Sequence, residues 1–267
     1  MTRYFLAIPL IALLLFCLHL SPALAQTTPV TPAPSPSASA TPAPVSQEDL
    51  AKLYLIRKEY PAAEVLFRRL TQQQPKNALY WNELGITLHN QAQLDPAMKC
   101  YEKASKLDSH YADPVNNIGT VWYERKKYSK AIRAYKRAIA IKDDFASFYM
   151  NLGYAYFADK KYEDAIASFH KTLALDPQAF DPSNSRTGTI VQDRSISEDR
   201  GRFYFMLAKS FAQAGNLDRC IIYLRKARDE GYKNMDAAKS DPDFAGVLKD
   251  PAIQEILTPA PPPTAQP

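Results

Sequence analysis

Histidine and cysteine are the side chains with which this sequence could hold a metal or attack a substrate, and their spacing serves neither chemistry. Of the four His, none forms an i, i+3 or i, i+4 pair, the separation that sets two imidazoles on one helix face for zinc. Three Cys, one of them Cys17 in an apolar leading stretch, are too few for a disulfide scaffold or a multi-cysteine zinc site. There is no glycine-rich phosphate loop, no dinucleotide fingerprint, no HExxH and no GxSxG elbow, and Lys209-Ser210-Phe211-Ala212 supplies no nucleophile motif. His89, His110 and His170 do not cluster and read as structural. The expectation is a chain with no metal, no cofactor, no small-molecule substrate and no enzyme activity. Recognition chemistry is what remains. The set Arg125, Lys126, Lys127, Lys130, Arg133, Lys136 and Arg137 is dense in cations, and Lys130, Arg133 and Arg137 share one helix face. That face reads either as solvated surface or as a site for an anionic lipid headgroup or cell-wall polymer.

The elements that carry these residues follow from composition. A net charge of +5 over 267 residues is too mild to demand nucleic acid as a partner, and 46% apolar residues exclude full disorder. Of the 21 Pro, 13 fall in Met1–Val45 or Pro259–Pro267, so the interval between is helix-compatible. Met1–Arg3, the uncharged apolar run Tyr4–Leu20, Pro22 and Ala23-Leu24-Ala25 have the order of an export signal, predicting a signal peptide over residues 1–25 and a mature chain from Gln26. The destination is the periplasm or the exterior; the alternative is an uncleaved membrane anchor. Residues 26–45, rich in Thr, Pro, Ala and Ser and free of charge, read as a disordered linker, and 259–267 as a disordered tail.

Between them a period of 34 residues repeats. Gly85, Gly119 and Gly153 are preceded by Leu84, Ile118 and Leu152. Trp81, Val115 and Tyr149 lie four residues ahead of each Gly, and Leu88, Trp122 and Tyr156 three after. Ala97, Ala131 and Ala165 follow, then Tyr101, Tyr135 and Phe169, with Tyr60, Leu94, Tyr128 and Tyr162 as a further column. One unit earlier the pattern reads Leu50-Ala51, Tyr54, Ala63 and Phe67, and Pro75 and Pro177 close the first and fourth units. Small residues at two facing columns let paired helices cross closely, and the large residues one turn away fill the grooves, so the aromatics read as core.

The pattern resembles the tetratricopeptide repeat family, here as an exported bacterial member. The resemblance implies an all-α, right-handed α-solenoid of helix pairs, with units at 44–77, 78–111, 112–145 and 146–179 and a fifth at 201–234 carrying Tyr204, Leu207-Ala208, Phe211, Leu217, Cys220, Leu224 and Ala227. An array over 46–234 is thus interrupted by an insertion at 180–200, in which Thr189–Val191 and Arg194–Ile196 could pair as a β-hairpin. That insertion is either a tolerated loop or a functional one. Residues 235–258 read as a C-terminal cap. Asp241-Pro242 and Asp250-Pro251 would each start a helix, over Pro242–Leu248 and Pro251–Leu257.

In this family the first helix of each unit lines the concave groove. The positions off the core columns are Asn82, Glu83, Ile86, His89 and Asn90; Asn116, Asn117, Thr120, Tyr123 and Glu124; and Met150, Asn151, Tyr154, Phe157 and Ala158. A ladder of Asn amides can pair an extended peptide backbone, and Tyr123, Tyr154 and Phe157 add rigid apolar area. The same Asn columns can instead join helix to helix. The peptide-binding groove is accordingly assigned to Asn82, Asn116, Asn117, Tyr123, Met150, Asn151, Tyr154 and Phe157. One family variant clamps a chaperone's C-terminal carboxylate with basic groove residues; Asp113 and Asn117 stand at the matching positions, so that clamp is not carried over. The resulting expectation is a non-enzymatic scaffold holding a partner protein or peptide in its groove. The alternative is an envelope-polymer or membrane-surface binder acting through the basic convex face.

Overall fold

A computed structural model describes residues 46–181 and 199–258, all within the compact unit Val45–Pro267. Ten helices form five consecutive pairs: α1 (Gln47–Ile56) with α2 (Tyr60–Gln73), α3 (Ala78–Asn90) with α4 (Leu94–Leu107), α5 (Ala112–Glu124) with α6 (Tyr128–Ile141), α7 (Ala146–Ala158) with α8 (Tyr162–Leu175), and α9 (Arg200–Gln213) with α10 (Leu217–Asp229). The described residues contain no strand. The signal, linker and tail, and the hairpin expected within the insertion, lie outside the described residues.

Several boundaries have visible chemical causes. Ser46, Asn77, Asp199 and Asn216 each accept a hydrogen bond from a backbone N–H two or three residues on, capping α1, α3, α9 and α10. Pro61 occupies the first turn of α2, where its missing N–H costs nothing. Each first helix ends on a residue in the left-handed region: Lys58, Ala92, Lys126, Lys160 and Gly215, with φ between 56° and 70°. The next residue's N–H then reaches back to a carbonyl five residues earlier, as from Lys127 to Trp122 at 2.9 Å. This turn satisfies the last carbonyls of one helix and aims the chain into the next.

Within a pair the crossing is closed by glycine. A Cβ at Gly85, Gly119 or Gly153 would lie 2.4–2.5 Å from the ring of Tyr101, Tyr135 or Phe169. Ala97, Ala131 and Ala165 on the facing helix are wholly buried, as are Tyr101 and Tyr135, whereas Trp81, Trp122, Tyr149 and the column of Tyr60, Leu94, Tyr128 and Tyr162 are half-buried.

After α10 the chain makes two 3-10 turns, Met235–Lys239 and Pro242–Phe244, and then α11 (Pro251–Leu257). Asp250 caps α11 through the N–H groups of Ala252 and Ile253 as expected. The helix expected over Pro242–Leu248 is corrected: Asp241 does cap its start, but only Pro242–Phe244 is helical, as a 3-10 turn. Gly246 weakens the middle of that segment, and Asp241 accepts from one backbone N–H where Asp250 accepts from two. The inward residues are nonetheless the expected ones: Phe244, Val247, Ile253, Ile256 and Leu257 are buried. The segment packs on α9 and α10 and so covers the last apolar face of the stack.

Candidate functional site

Successive first helices touch one another, α3 on α5 and α5 on α7, whereas each second helix packs chiefly against the first helices beside it. The first helices are therefore the more closely spaced set and form the inner face of the array.

The Asn columns sit where those helices meet. The Asn151 amide donates to Asn116 Oδ1 at 3.1 Å, and Asn116 donates to Asn117 Oδ1 at 3.4 Å. Asn117 donates to Asn82 Oδ1 at 3.1 Å, and Asn82 to the Tyr111 hydroxyl at 3.1 Å. None of the four Asn is more than 4% exposed. The expectation of an open amide ladder for a peptide backbone is corrected on this point: the amides are engaged with one another, the helix-to-helix alternative. A buried amide must find partners, and the close spacing of the first helices supplies them from the next unit.

The aromatic candidates also turn inward. Tyr123, Met150 and Phe157 are buried. The Tyr123 ring lies 5.4 Å from Tyr128, and Phe157 meets Phe203 edge-on at 5.5 Å. Half-buried Tyr154 stacks on Phe203 at 5.8 Å, so α9 fills the position where a ligand side chain was expected. Thr120 is buried, and its hydroxyl lies 3.3 Å from that of Tyr135. His89 is buried between the Tyr101 hydroxyl, 3.2 Å from Nδ1, and Glu124 Oε1, 2.8 Å from Nε2.

Exposed or half-buried on the first helices are Glu48, Lys52, Glu83, Ile86, Asn90, Asp113, Glu124 and Ala158. This lining is acidic. Glu83 lies in the field of Lys52, Asp113 and Glu48. Burial raises its carboxyl above the usual range, opposed by Lys52 and a hydrogen bond from Asn82 and reinforced by Asp113 and Glu48. Burial likewise raises Asp113, opposed by Lys142. Glu48 is lowered, by hydrogen bonds from Lys52 and from Tyr80, whose hydroxyl is 2.6 Å away. Sequence reading picked out Glu83, Ile86, Asn90, Glu124 and Ala158 as groove positions but not Glu48 or Lys52. Both stand in the first unit at the same columns as Asn82 and Ile86, a register that could have found them.

At the far end Lys209 takes the column of Ile86, Thr120 and Tyr154. Its ammonium, nearly buried, lies 2.9 Å from Asp241, 3.0 Å from Asp243 and 3.7 Å from Glu163. Burial works against the Lys209 charge, but the bonds to both aspartates outweigh it and raise its pKa. Asp243, for its part, is held below the usual range: burial opposes its charge, and hydrogen bonds from Gln213 and Lys209 prevail. The cap is thereby ionically fixed to the last first helix.

Cys100 and Cys220 are buried and free, their thiols pushed by burial up to about 11 and about 12, respectively. Thiols held protonated at neutral pH are poor nucleophiles. The described residues contain no group of three or more His, Cys, Asp or Glu able to hold a metal ion, and no helix among them is long and apolar enough to cross a membrane.

An all-helical stack of paired helices with small residues at each crossing and a fitted terminal cap defines a helical repeat protein. Family comparison makes the assignment particular. The tetratricopeptide repeat family matches residues 78–111, 146–178 and 201–227, and the related TPR repeat matches 119–160. The chain is a tetratricopeptide repeat protein. Such arrays serve in general as protein-interaction scaffolds. Comparison with curated proteins finds no match. Similar solved structures include MamA from Desulfovibrio magneticus RS-1, at 17% identity over 68% of this chain and 92% of that one, with a TM-score of 0.49. TTC0263, a thermophilic TPR protein from Thermus thermophilus, aligns at 16% identity over 76% and 99%, also at 0.49. The first TPR of Spaghetti (RPAP3), bound to an HSP90 peptide, aligns at 28% identity over 39% and 82%, at 0.38.

Proposed function

We propose that the protein is a non-enzymatic scaffold, exported to the periplasm or the exterior, that holds an extended segment of a partner protein along the inner face of its first helices. The observation that carries this reading is the lining itself. Glu83, Asp113 and Glu124 punctuate a face that also offers Ile86 and Ala158, while the polar groups behind it are satisfied internally. Such a face suits a segment that alternates cationic and small apolar side chains, since opposite charge both steers and orients it.

The test uses immobilised peptides of matched length in basic, acidic and neutral series. Basic peptides are expected to bind best. Glu83→Gln with Glu124→Gln is expected to weaken them about tenfold or more, since each hydrogen bond to a charged group contributes roughly 1.5–3 kcal/mol, with helical content unchanged. Lys130→Ala with Arg133→Ala, on the opposite surface, should leave that binding near wild type. Groove variants that bind like wild type would remove the proposal.

Export has its own check. N-terminal sequencing of the protein recovered outside the cytoplasm should begin at Gln26; a sequence beginning at Met1 would contradict cleavage.

A further inference from the structure

Cations on most helices of the array have acidic partners. Lys52 pairs with Glu48, Arg68 with Glu64, Arg200 with Glu230, and Arg219 with Asp181. Among the described residues the cations of α4, α6 and α8 form no salt bridge, and α6 holds the most of them. It carries Lys130, Arg133, Lys136 and Arg137, all exposed, and no acidic residue. Among the described residues none of the four forms a salt bridge. On α4 the exposed Lys99, Lys103 and Lys106 face solvent with Glu102 as the acidic residue beside them. The one nearby ion pair, Arg125 with Asp95, ties the turn before α6 to the start of α4 and so holds the two cationic helices side by side. Both are second helices, on the outer side of the array. The inner face of the same units is acidic, so the charge is sorted by side.

We infer that this outer face is a docking surface for an anionic lipid bilayer. Charge complementarity supplies the attraction, and the form of the surface selects the occupant. The cations stand on helix ridges rather than in a groove that could track a nucleic-acid backbone. The half-buried indole beneath them, Trp122, is covered by the Lys130 ammonium at 4.2 Å and is not presented for base stacking. Five of the seven side chains on α4 and α6 are Lys, compact point charges suited to diffuse attraction rather than to bidentate recognition of one phosphate. This inference is independent of the groove: it concerns the opposite surface.

The experiment partitions the mature chain, Gln26 onward, onto vesicles of phosphatidylcholine alone and of phosphatidylcholine with phosphatidylglycerol in equal parts, at about 0.1 M salt, where screening acts over roughly 10 Å. Neutral vesicles report adsorption that does not depend on charge, and the ratio of the two partition coefficients isolates charge. A Lys or Arg near an anionic surface contributes about fivefold, so replacing Lys130, Arg133, Lys136 and Arg137 by Ala should lower the ratio by about 100-fold or more. Helical content should hold, because Ala is the best helix former. Replacing Arg225, Lys226 and Arg228 on α10 by Ala should lower the ratio by less than about tenfold. The inference is overturned by a wild-type ratio near one, by an α6 variant that keeps its ratio, or by equal losses from the two variants. Failure to bind anionic vesicles together with tight binding of short duplex DNA or an anionic polysaccharide would also overturn it, reassigning the face to a polyanion.

Discussion

Gly119→Ala is expected to destabilise the array by about 1–3 kcal/mol, and Gly119→Leu by more. The added Cβ would sit 2.5 Å from Cε1 and 2.7 Å from Cδ1 of Tyr135. That ring cannot swing into solvent: Tyr135 is wholly buried and its hydroxyl lies 3.3 Å from Thr120 Oγ1. The backbones of α5 and α6 must part instead, which opens contacts along the whole crossing. Thermal unfolding should show the loss at about 2–4 °C per kcal/mol for a region of this size. Lys136→Leu, on the exposed side of α6, should move the transition little. The fifth unit suggests a rescue. There the same two columns hold Ala208 and Leu224, and in the first unit Ala51 and Phe67, all fully buried, so a methyl is accommodated opposite Leu or opposite a ring without the hydroxyl that sets Tyr135 against Thr120. Gly119→Ala combined with Tyr135→Leu should therefore cost less than the two changes added, by about 1 kcal/mol or more. Strict additivity would show that the crossing is not the origin of the glycine.

Asn117→Ala is expected to act on stability rather than on capture of a partner. The amide links two neighbours: it donates to Asn82 and accepts from Asn116. Its loss strands a buried carbonyl and a buried N–H, and each unsatisfied group costs about 1–3 kcal/mol. Urea unfolding should shift to lower denaturant, while basic peptides at the groove bind the remaining folded protein as wild type. Unchanged stability with lost binding would restore the amides to the ligand.

Those two residues mark how far the sequence could be read. The glycine was legible because steric need and period coincide: only a small residue every 34 positions lets a large one recur sixteen later. The facing Ala97, Ala131 and Ala165 were legible for the same reason. The site was less legible. Asn82 and Asn116 occupy first-helix positions off the core columns, and their type fits a ligand's backbone as well as a neighbour's amide. Deciding between the two needs the distance between successive first helices, which side-chain type does not encode. Tyr154 and Phe157 were misplaced for a related reason: Phe203, which covers them, follows an insertion that breaks the register. The contacts of Lys209 with Glu163, Asp241 and Asp243 likewise join segments that no short-range pattern connects.

The left-handed turn between paired helices has a consequence for the length of the array. Lys58, Ala92, Lys126 and Lys160 each hold a conformation that costs a residue other than glycine about 1–2 kcal/mol, and only Gly215 escapes it. This cost recurs in each of the first four units. Favourable stacking between units arises once per junction, and a linear array has one junction fewer than it has units. Strain and cohesion thus scale differently, and the balance worsens as units are removed. A single excised pair would keep its strained turn and lose every junction; five pairs closed by a cap spread the same local penalty over the most favourable ratio this chain attains.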